Sequence, residues 1–76
     1  MTKKEATKIA AKTFLTSTNI IVQYQDKKDV CVFKMHKLEY PQVQISLSMN
    51  KEIMNEHVLH IDDAFPLLVE AVELSF

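Results

Sequence analysis

The chain contains no glycine, no arginine, no tryptophan and one cysteine. The missing glycine excludes glycine-rich phosphate loops, the dinucleotide fingerprint, the nucleophile elbow and the GxxG nucleic-acid clamp. Each of these needs glycine's backbone freedom or its absent side chain. A lone Cys31 forms neither an intramolecular disulfide nor a thiolate zinc cluster, and it favours a reducing, cytoplasmic setting. No apolar run approaches the roughly 18 residues of a membrane helix, and the opening Met1–Lys4 lacks the apolar core of a signal peptide. No membrane partner is therefore expected. The 76 residues make one small domain, 1–76, and a chain of this size buries only about 60% of the surface its unfolded form exposes. With 47% apolar and 25% charged residues it is nonetheless too apolar for disorder.

Net charge is only −1, but its distribution is uneven. Residues 1–37 carry eight lysines against Glu5, Asp26 and Asp29, a net of +5; residues 38–76 carry Lys51 against seven carboxylates, a net of −6. Such asymmetry between halves hints at charged partners, or at two halves that pack side by side.

Thr2-Lys3-Lys4-Glu5 fits a capping box, in which Thr2 accepts from the Glu5 amide and the Glu5 side chain reaches back to the Thr2 amide. Ala6, Ile9, Ala10, Thr13 and Phe14 then recur at helical spacing, predicting a helix over 3–15, with Lys4, Lys8 and Lys12 along another face. Two β runs follow, 19–25 and 29–37, joined by the polar turn Asp26–Asp29. Pairing Gln25 with Val30 puts Tyr24 opposite Cys31, Val22 opposite Phe33 and Ile20 opposite Met35, all on one apolar face; a one-residue slip mixes the faces. Val43, Ile45, Leu47 and Met49 alternate with Gln42, Gln44, Ser46 and Ser48 in the period of a half-buried strand, after Pro41. Residues 50–61 are open to more than one reading: 50–56 as a helical turn or a loop, and 57–61 as a short fourth strand with Leu59 and Ile61 facing in. Asp62 and Asp63 offer N-caps for a final helix over 64–74, with Pro66 in its first turn. That helix is apolar nearly all round and so needs burial on more than one side. The expected fold is α+β, in the order α-β-β-β-(β)-α: an antiparallel meander of three or four strands with both helices on the Ile20/Phe33/Ile45 face. The order matches the double-stranded RNA-binding fold in outline. That family, however, places a basic cluster at the start of its last helix, where this chain has Asp62 and Asp63.

Little chemistry is on offer. His57 and His60 could share a metal ion on a helix, but on a strand they face opposite ways and no third ligand has diagnostic spacing. Cys31 and His36 have opposite strand parity, so a thiol–imidazole pair is not formed. No catalytic residue, metal or cofactor is expected, and the chain reads as a non-enzyme.

The expected function is therefore binding: a protein-interaction or inhibitor module, homodimeric, of the kind that phage and mobile-element genes encode. Ile21, Val30 and Val32 would make an apolar island within a Gln/Ser surround on the second sheet face, and Leu74 and Phe76 add apolar surface at the end of the last helix. The acidic half, through Glu52, Glu56, Asp62, Asp63, Glu70 and Glu73, could dock on a basic protein partner. The alternative is nucleic-acid binding through Lys3, Lys4, Lys8, Lys12, Lys27 and Lys28. A third reading is a subunit of a larger complex with no activity of its own.

Overall fold

The computed structural model describes residues 1–75, as α1 (Lys3–Thr16), β1 (Asn19–Asp26), β2 (Asp29–Lys37), β3 (Gln42–Met49), β4 (Glu52–His60) and α2 (Ile61–Ser75). The strands form one open antiparallel sheet in the order β1-β2-β3-β4. The first hairpin has the register expected from its apolar faces: Ile20 pairs with Met35, Val22 with Phe33, Tyr24 with Cys31 and Gln25 with Val30. β3 joins β2 with Ile45 opposite Met35 and Leu47 opposite Phe33.

Ile20, Cys31, Phe33, Met35, Val43 and Ile45 thus converge on one buried face. α2 lies across that face, mostly over β1, with Ala64, Leu68, Val69, Ala71 and Val72 buried. α1 packs on α2 through Ala6 and Ala10, which have no solvent exposure and are small enough to let the helices approach closely. α2 is therefore buried on two sides, as its apolar circumference requires. No helix among the described residues is long and apolar enough to cross a membrane.

Local details differ from the sequence reading. Thr2 Oγ1 accepts from the Glu5 amide at 3.2 Å, but the Glu5 carboxylate accepts from the Thr2 hydroxyl at 3.1 Å instead of from the Thr2 amide. The fourth strand is a full nine residues and α2 begins at Ile61, three residues earlier than expected. The α2 cap is His60, whose Nδ1 accepts from the Asp62 amide at 3.0 Å. Asp62 and Asp63 occupy the first turn, where their negative charge complements the helix dipole. The earlier start leaves Pro66 in the second turn, where its ring nitrogen cannot donate to the Asp62 carbonyl.

Turns without glycine must place other residues at positive φ. Lys27 does so at 57° between β1 and β2, and Asn50 and Lys51 do so at 50° and 73° between β3 and β4. Two consecutive positive φ angles are what a tight two-residue hairpin turn demands; Asn tolerates this, while Lys pays a steric cost at its Cβ. Asn50 also bonds outward. Its amide donates to the Val30 carbonyl at 2.9 Å, its Oδ1 accepts from the Val30 amide at 3.0 Å, and its Nδ2 donates to Asp29 Oδ1 at 2.8 Å. Asn50 thus ties the tip of the β3–β4 hairpin to the tip of the β1–β2 hairpin.

Lys51→Gly should stabilise the protein by about 1 kcal/mol, raising the melting temperature by roughly 4–8 °C in a thermal unfolding scan. Asn50→Ala should lower stability by roughly 1–3 kcal/mol, because it strands the Val30 amide as well as removing a favourable turn residue. Equal and small effects of the two substitutions would contradict this account of the turn.

Candidate interaction surface

Both helices lie on one side of the sheet, so its other side carries no covering element. Alternation along the strands and the observed register place Ile21, Gln23, Val30, Val32, Lys34, His36, Gln44, Ser46 and Ser48 there. The apolar island expected at Ile21, Val30 and Val32 is therefore brought together on one bare face. Ile21 is 66% exposed and Val30 42%, with Val32 half-buried between its neighbours.

β4 extends this face with Glu56 and with two apolar residues, Ile53 and Val58, that the sequence reading missed. Val58 pairs with Gln44, Glu56 with Ser46 and Ile53 with Ser48, so all three stand on the bare side. Ile53 is 65% exposed and Val58 55%. A bulge between the Leu47 and Ser48 pairings inserts Met54 as an extra residue. The apolar positions are consequently odd before the bulge and even after it, and no single period-two pattern reveals them. The signal available in the sequence was the β-branched content of 52–60 alone.

A shallow basin of about 360 Å³ runs across the centre of this face, with Ile21, Lys34, Ser46, Ile53 and Glu56 in its lining. Glu56 accepts from Gln44 Nε2 at 2.7 Å, which fixes one of its oxygens and leaves the other free. His36 Nδ1 is hydrogen-bonded to Asn19 Oδ1 at the rim. Lys34 stands in the middle and, among the described residues, forms no ion pair. The arrangement is apolar contacts in a polar surround, with Lys34 and Glu56 both in the lining of the basin.

The other residues singled out from sequence are dispersed. Leu74 is 52% exposed but belongs to the helix side, in a groove of about 330 Å³ shared with Tyr24, Leu47, His57 and Leu67. It is separated from Ile21 and Val32 by the thickness of the sheet. Phe76 lies outside the described residues. Of the six carboxylates, Glu52 and Glu56 are on β4, Asp62 and Asp63 in the first turn of α2, and Glu70 and Glu73 on its second half. They do not assemble into one surface. Lys3, Lys4, Lys8 and Lys12 are exposed on α1, while Lys27 and Lys28 sit in the β1–β2 turn. His57 and His60 fall on opposite faces of β4, and Cys31 and His36 on opposite faces of β2. No three His, Cys, Asp or Glu side chains come together among the described residues.

No protein family, curated protein or solved structure matches this chain.

The helix-side groove has one titratable group with a shifted equilibrium. Burial pushes the Tyr24 phenol above its ordinary value of 10.0, helped by the neighbouring Cys31 and Glu70, whose negative forms oppose a phenolate. The folded state therefore holds this proton more tightly than the unfolded chain. The contribution is fully present below pH of about 10 and is lost as pH rises through the folded value. The stability difference between the wild type and Tyr24→Phe should stay constant through neutral pH and turn against the wild type above about pH 10. Denaturant melts of both proteins across that range check this, and a parallel pH dependence for the two would refute it.

Proposed function

We propose that this chain is a non-enzymatic protein-interaction or inhibitor module that works as a homodimer. The observation that carries the reading is the bare sheet face, where Ile21, Val30, Val32, Ile53 and Val58 gather on one side within a rim of Gln, Ser and Asn. A small domain seldom leaves so many large apolar side chains together on one face unless that face meets another surface. The partner suited to it is a protein surface with apolar contacts around one carboxylate, placed to meet Lys34.

Docking of the acidic half on a basic partner has weaker support, because its six carboxylates occupy separate parts of the fold. The nucleic-acid reading rests on the exposed Lys4, Lys8 and Lys12 of α1. It lacks an arginine fork, a glycine loop or an aromatic platform beside them.

Sedimentation equilibrium at tens of micromolar should give close to twice 8.8 kDa. A clean monomer mass removes the homodimer. In a gel-shift assay with mixed DNA and RNA at low salt, no retarded band is expected. A band that persists at physiological salt and is abolished by replacing Lys4, Lys8 and Lys12 with Gln would establish the lysine helix as the functional surface instead.

A further inference from the structure

The sheet has two free edges, and they are not equivalent. α1 flanks β1, with Ile9, Thr13 and Ser17 lining a groove along Asn19, Ile21 and Gln23. β4 has no such flank. It runs for nine residues, and its side chains are exposed from Glu52 to Val58. Of the devices by which natural sheets blunt such an edge, β4 keeps the charges Glu52 and Glu56 and one bulge, with no lysine, proline or covering element. The one bulge lies at the Met54 end, which leaves 55–60 regular.

The direction of the free backbone groups follows from the ladder. The Ile61 amide donates to the Pro41 carbonyl at 2.9 Å, in the same register as Gln42 with His60. Hydrogen-bonded pairs alternate in an antiparallel ladder, so Leu59, His57 and Asn55 turn their amides and carbonyls towards β3. Glu56, Val58 and His60 turn theirs outward, to the open edge.

We infer that two copies join β4 to β4 antiparallel, centred on Val58, into one continuous sheet; this rests on the homodimer proposed above and specifies its interface. Several lines of argument select this occupant and this register. A strand paired with its own copy about a two-fold axis closes on itself, whereas β4 against the β1 of another copy would propagate without end. Centring on Glu56 sets two carboxylates against each other, and centring on His57 sets Glu56 against Val58. Centring on Val58 sets Val58 against Val58 and each Glu56 against the partner's His60. The last pairing is chemically complementary. His60 Nδ1 accepts from the Asp62 amide, so its proton is on Nε2 and available to donate. Glu56 has one oxygen held by Gln44 and one free to accept. Val58 paired with Val58, and each His60 amide with the Glu56 carbonyl of the other copy, supply about four backbone hydrogen bonds across the joint, the His60 carbonyl being engaged by the first turn of α2. α2 lies on the helix-side face and packs mainly over β1, the opposite edge of the sheet. The bare faces of the two copies become one broader platform, still open to a partner protein.

The test combines a backbone block with a cross-link. Val58→Pro removes an outward amide, which an edge strand tolerates, and should weaken dimerisation by about thirtyfold in sedimentation equilibrium while leaving the circular dichroism of the monomer unchanged. Val58→Cys places the two sulfurs across the two-fold axis, at a Cα separation of about 5.5 Å that a disulfide can span. Mild oxidation should give a covalent dimer for this variant. Ile21→Cys on the bare face should stay monomeric on a non-reducing gel, as should the wild type, whose Cys31 is buried. Ready cross-linking of Ile21→Cys with none of Val58→Cys would overturn the edge joint and leave a face-to-face homodimer standing. A monomer mass for the wild type would remove both. The cross-linking arm decides the matter even where Val58→Pro does not fold.

Discussion

The width of the sheet against the width of one helix governs this molecule. Four strands at 4.7–4.9 Å spacing put the outer strand axes about 14 Å apart, and a helix with its side chains covers about 10 Å. α2 is the helix that meets the sheet closely, and α1 rests on α2. One face is therefore only partly covered and the other is not covered at all. On the helix side the shortfall shows as the groove where Leu67 and Leu74 face Tyr24, Leu47 and His57. On the bare side it leaves Ile21, Ile53 and Val58 in water. Apolar burial is worth about 25 cal/mol per Å², so such surface has a standing free-energy gain on association that the chain cannot realise internally.

The small core makes the connections between strands matter more. Asn50 does the work that a glycine turn and a separate side-chain clamp share in other folds: it takes a positive φ and makes three hydrogen bonds to Asp29 and Val30. His60 similarly ends β4 and caps α2 at a junction with no connecting loop. Its Nδ1 and carbonyl serve the helix while its amide faces the open edge, so secondary structure and the proposed joint meet at one residue.

Where burial followed a regular period, the sequence was readable. β1, β2 and β3 each bury alternate residues of one parity, and matching those parities fixed the first hairpin register without any long-range information. β4 defeats that logic for physical reasons. It is an edge, so few of its residues are buried on either face, and the Met54 bulge reverses the parity of its outward apolar positions midway. Its preceding turn carries Lys51 where glycine would have announced a hairpin. The same obscurity hid Ile53 and Val58, which is why the apolar island was legible at Ile21, Val30 and Val32 but its extent was not. His60 was overlooked as a cap because aspartate is the far commoner choice and two aspartates stand next to it.

The charge asymmetry along the chain, read as a sign of charged partners, has a partial internal explanation. Lys3 of α1 lines the same cleft as Glu70 and Glu73 of α2, so the oppositely charged halves meet where the helices pack. No lysine–carboxylate pair comes within ion-pair distance among the described residues. The attraction there is of the longer-range kind, extending over roughly a Debye length of about 10 Å at 0.1 M salt. A chain that sets its positive helix against its negative one reduces the field it presents to a distant phosphate or to a basic protein. Exposed charges of both signs then act mainly as solubilising cover around apolar surfaces. In the proposed homodimer, recognition would then fall to shape and backbone pairing at β4 and the bare face, with Glu56, His60 and Lys34 setting register and orientation.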